Sequence, residues 1–354
     1  MAGLSSIQIL SGIICGISYS YFVVSRLPKG LARLVAVAPI IAFHTVLPGQ
    51  VSTIHMRGQL SFMFMWISSF KLLMLCFDVG PLATLWARSN LLHFMAVAVI
   101  PIELRRAKPK NDKKKSSRWK TWIKLILEVC VYAGIIHSFS FRNRIPHCLI
   151  IVLYGFVIYF SLDIVLVSLA AIVDVCLGAE LEPQFNKPYL ASSLEDFWGK
   201  RWNLIVTNIL RPSVYDPILL FCWKTHNLIK EENKQVEKKP PYWARAVALF
   251  STFIVSGLMH EAIMYYITES RSSWDMLGFF TLHGCCTAIE VGLKRSGRFT
   301  YIAAPKFISM PITLIFIYIT ALWLFFPAFT RYETDIKGIA EYELLIKYLF
   351  PPSE

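Results

Sequence analysis

Charge is scarce in this 354-residue chain: 17% of its residues are Asp, Glu, Lys or Arg, where a soluble domain carries about 25%. Cysteine pairing signals are missing too. The eight cysteines, at 15, 76, 130, 148, 176, 222, 285 and 286, sit almost all inside apolar runs without C-x-x-C spacing, so neither a disulfide framework nor a zinc site follows. His260-Glu261 is not a zinc-protease H-E-x-x-H, because position 264 is Met. No G-x-S-x-G elbow lies nearby, which argues against a serine esterase. Nor is positive charge spread over the chain. The formal charge is +13, yet residues 105 to 120 hold nine Lys/Arg against one acid, Asp112. That concentration argues against a nucleic-acid-binding surface and for a solvated loop beside anionic lipid.

What the chain has is apolar length. It is 55% hydrophobic, with 25 Phe, 15 Tyr and 10 Trp, which suits a lipid-immersed body with aromatic belts. Since about 20 apolar residues span a bilayer as a helix, spans are predicted near residues 5–25, 31–47, 59–77, 121–139, 147–175, 244–267, 275–293 and 307–328. The expected fold is all-α: a polytopic integral membrane bundle of about eight transmembrane helices with interfacial and re-entrant helices. The apolar stretch from Leu91 to Ile102 is too short to cross. Lys and Arg mark cytoplasmic loops, so Arg26, Lys29 and Arg33, the basic run 105–120, the polar segment 178–242 and Lys294, Arg295 and Arg298 are expected on the cytosolic side. By alternation both ends are lumenal. No Lys or Arg precedes Arg26, so the first span is expected to stay as an anchor. The final Pro-Pro-Ser-Glu matches no retrieval or lipidation signal.

Ionisable groups at membrane depth are costly, so each needs a partner or a function. His260 lies seventeen residues past Trp243, about 26 Å along a helix. Ser256 and Met264 share its face, Glu261 is turned about 100 degrees away, and Gly257 is expected to leave room for a substrate. The competing reading is a core histidine satisfied by a neighbouring carbonyl or hydroxyl. His283, Thr287 and Glu290 form one stripe, read as packing, with Glu290 reaching toward Lys294. Asp163 and Asp174 share a side of one long helix and could mark a proton path. Lys71 is expected to snorkel or to pair with an acid. From Pro183 to Pro217, Phe197, Trp198, Trp202 and Leu204 mixed with Lys200, Arg201 and Arg211 describe an amphipathic helix in the headgroup region, capped by Ser192 or Ser193. Asn203 is the odd member, a neutral amide amid aromatics, able to donate or accept hydrogen bonds.

The segment Asp196-Phe197-Trp198-Gly199-Lys200-Arg201-Trp202-Asn203, followed by Ser256-Gly257-Leu258-Met259-His260-Glu261, closely resembles the plant wax synthase branch of the membrane-bound O-acyltransferases. Pro183-Gln184-Phe185-Asn186 and Leu282-His283-Gly284 look like that branch as well, and the likeness runs along essentially the whole chain. Lys200 departs from it, since Arg is commoner there; charge is kept and fork geometry is lost. The resemblance implies one membrane-embedded acyltransferase domain over residues 1–354, carrying an acyl group from acyl-CoA to the hydroxyl of a lipophilic alcohol; wax-ester synthesis is the first reading it implies, with sterol or triterpenol O-acyl transfer and diacylglycerol acetyl transfer as alternatives within the family. It implies no cofactor beyond acyl-CoA as co-substrate, no metal, and an endoplasmic reticulum setting. His260 is then the expected base and Asn203 its partner, with Trp198, Arg201, Trp202, Ser256 and His283 expected to contact substrate. Two alternatives stand: a proton-coupled transporter with His260, His283, Asp163 and Glu290 as a relay, and a scaffold that kept the fold.

Overall fold

The computed structural model describes residues 4–101, 118–177, 182–231, 238–296 and 305–349. The expected basic loop at 105–120 falls almost wholly outside these, as do 178–181 and 232–237 of the polar segment. Among the described residues every regular element is helical. Among the described residues nine helices are long and apolar enough to cross a membrane: α1 (Ser6–Arg26), α2 (Leu31–Gln50), α3 (Ile54–Leu75), α4 (Trp122–Arg144), α5 (Leu149–Leu177), α6 (Leu204–Ile229), α7 (Tyr242–Thr268), α8 (Asp275–Arg295) and α9 (Lys306–Thr330). Eight match the predicted spans. The ninth, α6, has the lowest mean hydropathy of the set, 1.2, because Arg211, Lys224 and His226 dilute its apolar run.

Two compact units divide the chain, Met1–Val99 with Asn186–Glu354, and Ile100–Phe185. In the second unit α4 and α5 pair with each other. Lys124 joins them, its Nζ 2.8 Å from Asp163 and 3.1 Å from Glu128, so the buried Asp163 is held in an ion pair. Phe139 stacks on Tyr154 with centroids 5.1 Å apart.

In the first unit α7 packs closely along α8, and what permits this is glycine. A Cβ on Gly257 would stand 2.9 Å from Leu277 Cδ1 and 3.0 Å from Leu277 Cα, and one on Gly284 would stand 2.8 Å from Phe253 Cβ. The space beside Gly257 is therefore filled by α8, which corrects the expectation that it is left for substrate. The two helices are locked at both ends. Tyr242 Oη donates to the Ala288 carbonyl, while Glu261 accepts from Ser272 Oγ and, at 3.0 Å, from the Leu277 N–H in the first turn of α8. Glu261 is thus a cap, satisfying an N–H that the helix itself cannot.

Helix α3 runs against α7, with Gly58 beside Ile267 and Trp66 beside His260. Its middle, Ser61–Ser68, is wound with wider π-type turns. A similar widening at Arg211–Tyr215 in α6 contains Pro212, which has no N–H to donate to the regular ladder. Lys71 is 1% exposed and donates to the Val97 carbonyl at 2.6 Å, so it does not snorkel. Val97 belongs to the nine-residue helix Leu91–Val99, too short to cross and buried at Phe94, Val97 and Ala98. Where α3 ends, Arg33 and Arg88 both reach Asp78, at 2.7 and 2.6 Å. The Arg33 hydrogen bond first, then that from Arg88, hold the Asp78 carboxyl down at about 2. At the other end of α3, Arg57 pairs with Glu269 at 2.8 Å, and Glu341 of α10 (Thr334–Leu349) accepts from the Ile54 N–H at 2.6 Å and binds His55 Nδ1 at 2.6 Å.

The expected single amphipathic helix is two helices with a break between them. Leu194–Lys200 ends at Arg201, and α6 begins after Asn203, whose backbone is left-handed at φ 40°. Ser193 caps the first piece, its Oγ accepting from the Asp196 N–H at 3.1 Å. That start is anchored on the C-terminal end of α8: Glu290 accepts from the Leu194 N–H at 2.8 Å, and Lys294 reaches Ser193, Glu195 and Glu290 at 3.0, 3.0 and 2.6 Å. The stripe on α8 is thus a packing feature at its Glu290 end, as expected. Helix α6 then returns to the same end of the α7–α8 pair, where the His226 ring lies 5.8 Å from Trp243.

Candidate active site

A cavity of about 360 Å³ opens between α6, α7, α8 and the Leu194–Lys200 helix. Its outer end carries Lys200, Arg211, Arg245 and Arg295 against one acid, Glu195; its walls include Trp198, Trp202, Val206, Leu249 and Phe253; its inner end is Ser256, His260 and Phe280. Arg245 and Arg295 were not singled out in the sequence. They stand one turn inside α7 and at the last residue of α8, so the close pairing of those helices brings them together.

His260 is half-buried, with part of its ring facing the cavity. Its Nδ1 lies 2.7 Å from the Ser256 carbonyl one turn back. A carbonyl can only accept, so Nδ1 carries the hydrogen and Nε2 keeps its lone pair. Phe280 stacks on the imidazole at 4.3 Å and 30°, and Trp66 meets it edge-on at 5.2 Å and 77°. The bond to Ser256 satisfies only one ring nitrogen, so the histidine is not fully accounted for by core packing. The Ser256 contribution is its backbone carbonyl, a role that periodicity placed on the right face without revealing.

Asn203 lines the same cavity, and its Oδ1 is buried with no hydrogen-bond partner among the described residues. A buried amide oxygen left unpaired costs about 1–3 kcal/mol. It sits where a ligand can supply the missing donor. The left-handed backbone suits Asn, which visits that region far more readily than other residues with a side chain.

The other expected contacts divide. Trp198 and Trp202 line the cavity. Trp198 packs against Phe253, Phe279 and Phe280 at 5.9, 6.2 and 5.7 Å, and its indole N–H donates to His283 Nδ1 at 3.1 Å. His283 is wholly buried, and its Nε2 donates to Thr320 Oγ1 at 2.8 Å. It is therefore braced between Trp198 and α9 and stands outside the cavity lining. Arg201 also stands outside it, in an adjoining cleft with Lys294 and Lys306. Its Nε binds Asp196 at 2.7 Å and its Nη1 reaches the Asn186 and Lys187 carbonyls, each at 3.3 Å. Partial burial raises the Asp196 carboxyl, but the Arg201 bond and the Ser192 N–H outweigh it and leave it below its ordinary value. The fork that joins these backbones is a structural clamp on the break before Asn203.

A sequence profile of the Membrane bound O-acyl transferase family matches residues 181–282, which hold both the Asn203 turn and His260. Over much longer stretches the chain is similar to curated plant proteins. It is 37% identical to acyl-CoA–sterol O-acyltransferase 1 of Arabidopsis thaliana over 334 residues, covering 93% of this chain and 92% of that protein. It is also 37% identical to the long-chain-alcohol O-fatty-acyltransferase of Simmondsia chinensis over 340 residues, 93% of this chain and 91% of that one. Probable long-chain-alcohol O-fatty-acyltransferase 9 of Arabidopsis thaliana is 34% identical over 319 residues, 90% and 88%. With its multi-pass helices, its Asn203–His260 cavity and near-complete alignment to these relatives, the chain belongs to the membrane-bound O-acyltransferase family.

Proposed function

We propose that this protein transfers an acyl group from acyl-CoA to the hydroxyl of a lipophilic alcohol, with His260 as general base. The observation that carries the reading is an imidazole with a free Nε2 at the inner end of a cavity whose outer end is cationic. Nε2 takes the proton of the acceptor hydroxyl as its oxygen attacks the thioester carbonyl. The tetrahedral intermediate then expels the thiolate, which recovers that proton, leaving an ester and free CoA. Base assistance of this kind is worth about 10²–10⁴ in rate. The Asn203 amide lies within the same cavity and supports the reacting groups by hydrogen bonding. Walls of Trp198, Trp202, Phe253 and Phe280 keep water from competing with the alcohol.

The cavity has a direction. Lys200, Arg211, Arg245 and Arg295 suit the polyanionic head of the donor, so this end is the cytosolic one, in an endoplasmic reticulum membrane. Helix α6 returns to that end, so we read it as re-entrant despite its length. The segment 178–242 then stays on one side of the membrane, and the alternation of the remaining spans is preserved. A long-chain alcohol is the first acceptor, because more of the similar relatives carry that name, and a sterol the second, because a relative named for sterol transfer is just as similar, 37% identical over 93% of the chain.

The test is ester formation in microsomes given labelled acyl-CoA with a long-chain alcohol and a sterol in competition. The wild type is expected to make ester, and His260→Ala at equal expression to lose about 10²–10⁴ of the rate. Full activity in that variant, or no ester from any acceptor in the wild type, overturns the reading.

A further inference from the structure

Holding a base in a cavity wall takes more than one hydrogen bond. The bond from His260 Nδ1 to the Ser256 carbonyl fixes one ring atom and leaves the ring free to tilt about it. Phe280 lies nearly parallel to the ring, at 30°. A third contact comes from another element: Trp66 of α3 meets the imidazole at 77° with centroids 5.2 Å apart. Trp66 is held in its turn, edge-on to Phe62 at 5.9 Å and 87°, and is 1% exposed.

Two features indicate that this ring is kept for its shape. Its Nε1 is buried and has no hydrogen-bond partner among the described residues, a state that costs about 1–3 kcal/mol. A phenylalanine would avoid that cost, so the larger indole surface is what the position uses. Trp66 also lies inside the wider-turned stretch Ser61–Ser68; such turns are rare and occur often at functional sites. Trp66 is absent from the cavity lining, so its influence on a bound substrate has to pass through His260.

We infer that Trp66 is a positioning residue for His260: together with Phe280 it sets the tilt of the imidazole and so the direction of the Nε2 lone pair. This rests on the acyl-transfer reading above. Misplacing a reacting group by 1 Å can cost about 10² in rate. Trp66→Leu is therefore expected to lower kcat by about 10²-fold, and Trp66→Phe, which keeps a flat ring of smaller reach, by less than about 10-fold. Neither variant should change the KM for acyl-CoA by more than about 2-fold, since Trp66 does not touch the cavity.

The experiment measures kcat and KM for Trp66→Leu, Trp66→Phe and His260→Ala beside the wild type, on full-length protein matched by monodisperse elution in detergent. If Trp66→Leu fails to accumulate, Trp66→Met, with a flexible chain of similar reach and no flat ring, takes its place. A fall in kcat at constant KM, graded with loss of the flat ring, supports the inference. An unchanged kcat, or a raised KM at constant kcat, overturns it. Loss of activity in His260→Ala with full activity in Trp66→Leu sinks this inference alone, whereas full activity in His260→Ala sinks the base assignment beneath it.

Discussion

Replacing Gly257 by alanine tests how closely the rate depends on the α7–α8 contact. The added Cβ would lie 2.9 Å from Leu277 Cδ1, 3.0 Å from Leu277 Cα and 3.2 Å from Phe280 Cβ. Ordinary carbon contacts are about 3.5–4.0 Å. The Leu277 side chain can turn aside, but its Cα is backbone, so α8 has to retreat by about 0.5–1 Å. Phe280 moves with it and carries away the ring that stacks on His260 at 4.3 Å. On stability, overpacking costs about 1–3 kcal/mol, offset by about 1 kcal/mol from better helix propensity, which leaves a net loss of about 0–2 kcal/mol. The effect on rate is larger. If 1 Å of misplacement costs about 10²-fold, a shift of half that size costs about 10-fold in kcat. Thermal unfolding in detergent and initial rates of ester formation measure the two together. Gly134→Ala serves as the control, because a Cβ there meets nothing within 4 Å; it should keep full activity and gain up to about 1 kcal/mol. An unchanged kcat for Gly257→Ala would refute the claim that the helix contact sets the geometry of the imidazole.

Two further predictions separate backbone from side chain and place the acid limit. Asn203→Gly keeps the left-handed turn without the amide, while Asn203→Ala adds a left-handed penalty of about 1–2 kcal/mol; both should lose about 10²–10³ in kcat, but only the alanine should unfold earlier on heating. The Asp78 carboxyl, held at about 2 against an ordinary 3.8, is depressed in the folded state, so its stabilisation is complete above about pH 4 and disappears as the pH falls toward 2. Melting temperature should accordingly drop more steeply over that interval in the wild type than in Asp78→Asn, and equal slopes would show that the Arg33–Asp78–Arg88 contact contributes nothing.

Hydropathy made eight spans legible, because an apolar run of membrane length has no competing reading. Helix α6 was hidden by Arg211, Lys224 and His226, which sit in its sequence at positions where a regular lipid-facing span would place apolar residues. The break at Asn203 was hidden for another reason. Aromatic and basic residues continue through it, so the pattern reads as one helix, and the only local hint was an Asn, which tolerates a positive φ. His260, Ser256 and Glu290 could be placed from helical spacing alone. The partners of His283 and Arg201 could not, since they come from α9 and from the backbone at Asn186 and Lys187. Trp66 left no signal in the sequence: a tryptophan within an apolar run looks like any other, and its contact with His260 joins residues far apart in the chain. The missing side chain of Gly257 marks a gap on its helix, but periodicity does not say which neighbour fills it, and α8 rather than substrate does.

The chain of bonds from Trp198 through His283 to Thr320 runs one way only: indole gives to imidazole, imidazole gives to hydroxyl, and the hydroxyl hands its own hydrogen to the Phe316 carbonyl at 2.8 Å. Each link must give on one side and receive on the other, so no link can be reversed without stranding its neighbour. A segment near the end of the sequence therefore helps hold up the cavity wall laid down more than a hundred residues earlier. A change in α9, at a distance from both sequence motifs, therefore shifts the footing on which Trp198 stands.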